Sequence, residues 1–282
     1  MTAVQTAAAD RNTPVPVAVP APPPTRPVDW WRALSALRAL LADPDQTEKA
    51  FEIFLALDGD EEERRFRRLL SDPASAPLVA ARPCLLDHLT DRAGLAALPA
   101  GSFGRAYLAY LERTGLDPAG LVNLKSELEA HAAAIGEPLP MLDPAREWFR
   151  LRGILMHDLW HVLTGYGTDE LGEAALLGFT YAQMGGRANR LLVVGATLRA
   201  IATLGIGFGR YMHQAWRRGR QAVWLAALPY ETLLAEPLDD VRALAGITPA
   251  GVAHPAGILC GSARNGRLEV SVSAGGVGGA PR

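Results

Sequence analysis

Cysteine and lysine are scarce in this chain of 282 residues. Its only cysteines are Cys84 and Cys260, and its only lysines are Lys49 and Lys125. The two cysteines could pair, but two isolated cysteines without an export signal are typical of reduced cytosolic thiols. Because arginine supplies nearly all of the positive charge, the lysine shortage indicates a GC-rich genome rather than a function.

A strong net charge and a signal peptide are missing as well. The net charge of −2 gives no general attraction to nucleic acid, so no nucleic-acid partner is expected. Residues 1–27 lack the basic start and the apolar run of a signal peptide, which predicts a cytoplasmic protein. Apolar residues make up 49% of the chain, enough for one domain with a large core.

Both ends of the chain have compositions that argue against a packed structure. Residues 1–27 hold seven prolines and are predicted to be a disordered tail. Residues 255–282 are rich in glycine and are predicted to be a flexible tail, with one candidate strand at Leu268–Ser273. Residues 28–254 remain as the predicted helical domain.

Between the tails, apolar residues recur at helical spacing. Trp31, Leu34, Leu37 and Leu41 fall on one face of the segment Trp30–Leu41. No other part of this region shows the alternation of a strand, so the pattern predicts an all-α fold, a single mostly helical domain. Further helices are predicted at Asp45–Leu57, Glu61–Leu70, Leu85–Leu95, Ser102–Arg113, Pro118–Ala134, Arg146–Thr164 and Asp169–Arg187.

Four potential metal ligands, His157, Asp158, His161 and Glu173, fall within seventeen residues. At about 100° per residue on a helix, His157 lies at 0°, Asp158 at about 100° and His161 at about 40°. All three therefore project from one side of the helix. His157 and His161 form the i, i+4 pair that meets on a helix face.

The fourth ligand, Glu173, lies on a second helix. Gly165 and Gly167 end the first helix, and Asp169 is a candidate N-cap for the next one. Because the chain reverses over this turn, Glu173 near the start of the second helix is expected to face His161. The arrangement is a clamp of two helices around one cation.

The residue types favour a divalent metal ion, with zinc as the first candidate. A histidine pair alone is often structural. Unpaired carboxylates beside an apolar surface are costly, however, and a cation would neutralise them. The pattern also differs from the His-Glu-x-x-His motif of zinc peptidases, in which the glutamate is the general base. Here Asp158 occupies that interval and Glu173 is the third ligand.

A long apolar segment, Leu191–Gly209, has the length of a membrane span but carries Arg199 near its middle. A buried or groove-lining helix is therefore favoured over a span. Two interpretations stay open for the basic cluster that follows: docking on an anionic membrane surface, or an ordinary solvated helix face. The cluster consists of Arg210, Arg217, Arg218 and Arg220.

The segment Met156–Gln183 resembles the signature His-Asp-x-x-His-x11-Glu of the ubiquinone biosynthesis protein family that is named for the fourth coenzyme Q gene. Leu98–Tyr107 is similar to its Pro-x-Gly-Ser-Leu-Gly-x-x-Tyr segment. Pro229–Glu231 and Pro237–Arg242 are similar to its C-terminal helical region. The resemblance covers about Val28 to Ile247 and suggests a bacterial member.

Two features depart from the family pattern. Arg150 and Arg152 are shifted relative to an Arg-x-Arg-Glu-like run, and Tyr230 stands where tryptophan is common. The departures put a substrate role for these arginines in doubt and leave the ligand set intact.

The resemblance implies a mostly helical, often dimeric protein with a hydrophobic pocket for a polyprenyl chain near the metal. It also implies oxidative decarboxylation of a ubiquinone precursor, in which a hydroxyl replaces the ring carboxyl, and association with other ubiquinone biosynthesis enzymes. A homodimer with peripheral membrane contact, on the cytoplasmic face of the inner membrane, is expected.

Three hypotheses for function follow. In the first, the four residues hold a catalytic ion with an open position, and Asp158 either binds it or orients His161. The lipid tail would then lie along Leu176, Leu177, Phe179 and Leu191–Ile206. In the second, the protein is a non-catalytic lipid-binding scaffold. A metal-dependent hydrolase is third, because the sequence shows no nucleophile or general-base motif for it.

Overall fold

The structure is a computed structural model of the chain, and it describes residues 20–43, 46–134, 136, 139, 141–254, 257–264 and 267–273. The predicted helix start at Asp45 and most of the predicted N-terminal tail lie outside these ranges.

Helices form most of the described part of the chain, and its only strands make one antiparallel β-hairpin. The all-α prediction is therefore confirmed. The helices and strands are α1 (Trp30–Ala42), α2 (Thr47–Leu57), α3 (Glu61–Ser71), α4 (Ala76–Ala81), α5 (Leu85–Thr90), α6 (Arg92–Ala97), α7 (Phe103–Thr114), α8 (Pro118–Ala134), α9 (Pro144–Thr164), α10 (Glu170–Met184), α11 (Arg187–Leu204), α12 (Gly207–Gln221), α13 (Tyr230–Leu233), α14 (Leu238–Ala245), α15 (Ala250–Ala253), β1 (Ile258–Arg264) and β2 (Arg267–Ser273).

Two predicted helices have different ends in the structure. The segment predicted as Leu85–Leu95 is divided into α5 and α6, because the side chain of Asp91 accepts a hydrogen bond from the Gly94 amide and starts a new helix. The helix predicted to reach Arg187 ends at Met184, because Gly185 and Gly186 have φ angles of 63° and 97°.

Helix α9 lies in the main hydrophobic core and carries the histidine pair. Its start is set by Asp143, whose carboxylate accepts hydrogen bonds from two main-chain amides of the first turn, and by Pro144 at the first helical position. Leu155, Met156 and Leu159 on this helix are fully buried. The helix is therefore fixed along its length, which holds its last turn in a defined place.

Helices α10 and α12 approach each other through small side chains. A Cβ atom at Gly219 would lie 2.5 Å from the carbonyl oxygen of Phe179 and 2.7 Å from the Cβ of Ala182. At Gly178, a Cβ would touch Met212. Glycine is thus required where the two backbones come close, and this contact fixes α10, the helix of Glu173.

The apolar segment predicted at Leu191–Gly209 forms α11, which stops at Leu204 because Gly205 has a φ of 85°. Arg199 on this helix lies 3.4 Å from the carboxylate of Glu170 and donates to the carbonyl oxygen of Leu41. Among the described residues, no helix combines the length and the apolar character that a bilayer span needs.

Both predicted tails contain ordered segments. The strand prediction at Leu268–Ser273 is confirmed as most of β2, but its partner β1 was predicted to be flexible. The register pairs Gly261 with Val270, and β1 packs against α10. At the other end, the Pro20 carbonyl oxygen accepts a hydrogen bond from Arg146. Pro20 and β1 therefore contact the helical part of the chain through partners that are distant in sequence.

We predict that Gly219→Ala lowers the free energy of unfolding by about 1–3 kcal/mol, since the new Cβ meets backbone that cannot move aside. Urea denaturation followed by circular dichroism measures the change. Gly153→Ala is the matched control, because no atom lies within 4 Å of a Cβ at this position in α9. Alanine there should leave stability unchanged or raise it by about 0.5–1 kcal/mol. Equal stability of Gly219→Ala and wild type would contradict the packing argument.

Candidate metal centre

The last two turns of α9 bring the two imidazoles together. The Nε2 atoms of His157 and His161 lie 3.3 Å apart, and the rings meet edge to face. This is the contact expected for an i, i+4 pair. The side chain of His161 is 1% exposed, whereas that of His157 is 44% exposed. One side of the pair is thus closed by the core and the other is open.

Glu173 in the first turn of α10 faces both rings, as predicted. One carboxylate oxygen lies 3.4 Å from Nε2 of His157, and the other lies 3.2 Å from Nε2 of His161. A Cβ at Gly172 would overlap the backbone of Gly167, so this glycine lets the turn fold back against the helix. The sequence-predicted clamp of two helices is therefore present.

These three residues form the cluster of possible metal ligands among the described residues, with all ligand atoms within 4.8 Å of one another. The two imidazole nitrogens lie 3.3 Å apart and each lies 3.2–3.4 Å from a carboxylate oxygen of Glu173, and imidazole with carboxylate is a ligand set that zinc takes. The donor set and its spacing therefore fit one divalent cation. The identity of that cation stays a prediction.

A hydrogen bond sets the tautomer of His161. Its Nδ1 lies 3.1 Å from the carbonyl oxygen of Tyr166. A carbonyl oxygen only accepts, so Nδ1 carries a proton, and in the neutral tautomer that a metal requires, the lone pair of Nε2 would point toward Glu173. Lone pairs and a carboxylate that converge in this way require a cation or a proton between them. Metal-binding histidines are commonly held by such a second hydrogen bond.

Two buried arginines hold the C-terminal end of α9. Arg242 donates to the carbonyl oxygens of Val162 and Leu163, and Arg218 donates to that of Thr164. These carbonyls lack partners inside the helix, and the helix dipole makes this end negative. The arginines therefore fix the turn of helix that carries His161. Because Arg218 is buried, it neither contacts a membrane surface nor lies on a solvated helix face, the two alternatives that the sequence left open.

Asp158 does not join the cluster of ligand atoms. Its carboxylate is buried and accepts a hydrogen bond of 3.3 Å from the hydroxyl of Tyr110. The Tyr110 ring in turn stacks on His161, with centroids 5.7 Å apart. Because Nδ1 of His161 is bonded to Tyr166, Asp158 does not orient that ring by a direct hydrogen bond either. It lies behind the histidines and acts on His161 through Tyr110.

The charges of the cluster shift its pKa values in opposite directions. Burial raises the pKa of Glu173, but hydrogen bonds from His157 and His161 outweigh it and lower the pKa to about 2. Burial lowers the pKa of His157, but Glu173 outweighs it and raises the pKa above its ordinary value. Behind them, burial raises the pKa of Asp158. Glu173 is therefore an anion across the physiological range.

His157 also lines a cavity of about 590 Å³ that opens beside the cluster. The residues expected to contact a lipid tail, Leu176, Leu177, Phe179 and Leu191–Ile206, do not line this cavity, and that path stays a prediction. The wall comes from α2, α3, α9, the end of α10 and the proline-rich segment before α1. Its apolar members include Phe51, Phe54, Leu55, Phe66, Phe149, Ile154, Trp160 and Met184, with Pro22, Pro23 and Pro24.

The arginines that precede the histidines are held in ion pairs. Arg150, which lines the cavity, makes a bidentate contact with Glu62, with a shortest distance of 2.5 Å. Arg152 is buried and pairs with Glu231. Tyr230, the departure from tryptophan, accepts a hydrogen bond from Trp160. Arg150, Arg152 and Tyr230, which depart from the family pattern, therefore all make contacts with neighbouring side chains near the centre.

Several supporting residues were missed by sequence reasoning: Tyr110, Tyr166, Arg218 and Arg242. Their roles depend on contacts between helices that are far apart in the chain, and no local spacing reports such contacts. Arg242 stood within a segment quoted for the family resemblance, but the sequence alone gave it no role.

The sequence is similar to known ubiquinone biosynthesis proteins. Residues 143–251 match the family model described as Coenzyme Q (ubiquinone) biosynthesis protein Coq4. The chain is 28% identical over 182 residues to the mitochondrial ubiquinone biosynthesis protein COQ4 homolog of Danio rerio, covering 62% of this chain and 60% of that protein. It is 26% identical over 186 residues to the Mus musculus homolog, covering 64% of each. The chain thus spans a little over 60% of the length of these relatives.

A solved structure agrees at the level of the fold. The crystal structure from Nostoc punctiforme that carries the name of a ubiquinone biosynthesis protein superposes with a TM-score of 0.55. The two chains are 20% identical, and the match covers 78% of this chain and 98% of that one. Its bacterial source agrees with the expectation of a bacterial relative. Residues 143–251, which the family model matches, include all four candidate ligands predicted from the sequence.

We predict that Glu173→Gln weakens binding of a divalent metal ion by more than about 100-fold, because it removes the charge of a direct ligand. Loss of a residue that only hydrogen-bonds to a ligand typically weakens metal binding by about 10–100-fold. Competition titration with a chromophoric chelator measures the affinity. Glu170→Gln is the matched control, since Glu170 lies in the same helix turn but pairs with Arg199. Equal weakening in both variants would show that the effect is not specific to the cluster.

Proposed function

We propose that the chain is a member of the Coq4 family of coenzyme Q (ubiquinone) biosynthesis proteins, whose model its residues 143–251 match, and that it acts on a polyprenylated hydroxybenzoate-type precursor of ubiquinone. The proposed reaction is oxidative decarboxylation of the ring. One observation supports it above others: His157 belongs both to the three-ligand cluster and to the wall of an apolar cavity. An aromatic head at the cluster would therefore leave its tail in the cavity.

The proposed reaction balances with molecular oxygen as the two-electron acceptor. The bond between the ring carbon and the carboxyl carbon breaks, and the carboxyl leaves as carbon dioxide. A new bond joins that ring carbon to a hydroxyl oxygen from water. The two electrons and two protons released reduce molecular oxygen to hydrogen peroxide.

His157, His161 and Glu173 are the residues that would hold a divalent ion, with zinc as the first candidate. Such an ion supplies Lewis-acid polarisation of the carboxyl or phenol oxygens of the head group. The partial exposure of His157 and Glu173 leaves room for a substrate oxygen on one side of the cluster.

The residues of the chain position the head group and control water. The Tyr166 carbonyl keeps the proton of His161 on Nδ1, so its Nε2 stays a lone-pair donor. Tyr110 closes the core side of His161 by stacking on it, and its hydroxyl proton is held by Asp158. The aromatic and aliphatic side chains of the cavity wall would contact the apolar tail of the substrate.

We predict that purified protein with a divalent metal ion releases labelled carbon dioxide from a carboxyl-labelled prenylated hydroxybenzoate in air. The Glu173→Gln variant should release less than about a hundredth as much, because it lacks a ligand charge, and Glu170→Gln should match wild type. Exclusion of oxygen should stop release by wild type, since the electrons then have no acceptor. No release from wild type with any metal ion tested would sink the enzymatic proposal.

A lipid-binding scaffold is the second candidate, and the cavity alone supports it. In that case the protein binds the prenylated precursor and presents it to other enzymes of the pathway. Wild type and Glu173→Gln would then carry the same amount of lipid through purification, measured by mass spectrometry, and neither would release carbon dioxide. Association with other pathway enzymes and a homodimer stay predictions.

We also propose that helices α11 and α12 contact an anionic membrane surface. Residues 187–221 contain seven arginines and no aspartate or glutamate. Arg210, His213 and Arg217 line one depression together with Ile206, which is 74% exposed. Leu198 on α11 is 62% exposed. Exposed apolar side chains beside Arg210 and Arg217 favour a bilayer with anionic head groups, from which a prenylated substrate would enter.

We predict that full-length protein floats with vesicles that contain anionic phospholipid and not with neutral vesicles. Arg210→Gln with Arg217→Gln should weaken binding roughly 30-fold, at about 1 kcal/mol per arginine. The control carries the same change of charge at Arg82 and Arg105, which are exposed elsewhere. Equal losses in both double variants would indicate net charge rather than this surface, and no flotation of wild type would reject the membrane proposal.

A further inference from the structure

We propose that the C-terminal segment is a positioning clamp for the metal centre, acting through His254 and the main-chain amide of Gly261. The inference rests on the proposed metal centre. The two contacts hold the two ends of the turn between α9 and α10, and the turn sets the distance between His161 and Glu173. We call this pair of contacts, made by His254 and Gly261, the C-terminal clamp.

The first contact holds Tyr166, the residue whose carbonyl fixes His161. The Tyr166 hydroxyl lies 2.8 Å from Nε2 of His254, which is 3% exposed. The other ring nitrogen of His254 lies 2.7 Å from the side-chain oxygen of Gln214 on α12. Tyr211 packs against the same imidazole, with ring centroids 4.3 Å apart. His254 is thus fixed on several sides and in turn fixes Tyr166.

The direction of these hydrogen bonds follows from the charge on His254. Burial and the positive charge of Arg218 lower its pKa to about 4, so the ring is neutral at physiological pH. Gln214 offers an amide oxygen, which accepts, so Nδ1 of His254 donates to it. Nε2 therefore accepts the hydroxyl proton of Tyr166. All donors and acceptors are matched, which makes this a stable buried network.

The second contact holds Asp169 at the other end of the turn. The Gly261 amide donates to Oδ1 of Asp169 at 2.6 Å. The same oxygen accepts from the amides of Leu171 and Gly172 at 3.2 Å and caps α10. Glu173 is the next residue along. The strand β1 therefore fixes the start of the helix that presents the third ligand.

Together the two contacts hold the turn from both ends. Tyr166 is linked to His161 and Asp169 to the helix of Glu173, so movement of either end would change the 3.2 Å separation between the two ligand residues. His254 and Gly261 both lie after residue 251, where the family match ends. The clamp is therefore argued from the contacts of this chain and not from the family.

The experiment uses full-length protein with His254→Phe, Tyr166→Phe and the double variant. Each removes the same hydrogen bond and keeps an aromatic ring in place. His88→Phe, at an exposed position on α5, is the control for a histidine change. In the metal-free state, hydrogen–deuterium exchange of residues 165–173 should become faster in the three test variants and stay unchanged in the control.

The second measurement is metal binding. Zinc affinity, from chelator competition, should fall about 10-fold in His254→Phe, at the low end of the effect of residues behind metal ligands. The absorption spectrum of bound cobalt(II) should change, since it reports the geometry of the ligands. If the hydrogen bond carries the effect, the double variant should lose no more affinity than either single variant.

The outcomes separate the clamp from the metal centre. Unchanged exchange of residues 165–173 in a folded His254→Phe protein overturns the clamp. Faster exchange with unchanged zinc affinity and an unchanged cobalt spectrum overturns its role in positioning the ligands. If wild type takes up no metal ion, the proposed function fails, and the claim that the clamp positions metal ligands fails with it.

Discussion

One hydrogen bond, from Nδ1 of His161 to the carbonyl oxygen of Tyr166, connects the candidate metal centre to the packing of the whole chain. It fixes which ring nitrogen is free, and the carbonyl that receives it belongs to the turn that leads to Glu173. A movement of that turn would therefore change both the orientation of the His161 imidazole and the position of the Glu173 carboxylate. The ligands depend on this turn as much as on their own helices.

Two buried arginine side chains donate hydrogen bonds to main-chain oxygens beside this turn. Arg218 and Arg242 each bind carbonyls at the end of α9, where the helix dipole favours positive charge. Both guanidinium groups are buried. Here one set of contacts satisfies carbonyls that the helix leaves open and also keeps the last turn from fraying. Stability and ligand geometry are consequently properties of the same interactions.

The two histidines of the candidate metal centre have different surroundings. His161 faces the core, whereas His157 faces a space lined by aromatic and aliphatic side chains. A reactive head and an apolar tail would have separate places within a few residues of each other. This division is what the proposed prenylated substrate would require.

The sequence by itself determined the local features. The spacing of His157 and His161 puts both rings on one face of α9, and the glycines after them reverse the chain so that Glu173 faces back. Helical periodicity and the strand at residues 268–273 were also evident, because each depends on neighbours within a few residues.

Only the tertiary structure decided the rest. It placed Asp158 against Tyr110 rather than among the ligands, turned Arg218 inward, and joined Pro20 to Arg146 across 126 residues. It also formed a cavity beside His157 that the sequence did not indicate. These contacts join segments distant in the chain, and their partners are chosen by how helices pack, which no local pattern records.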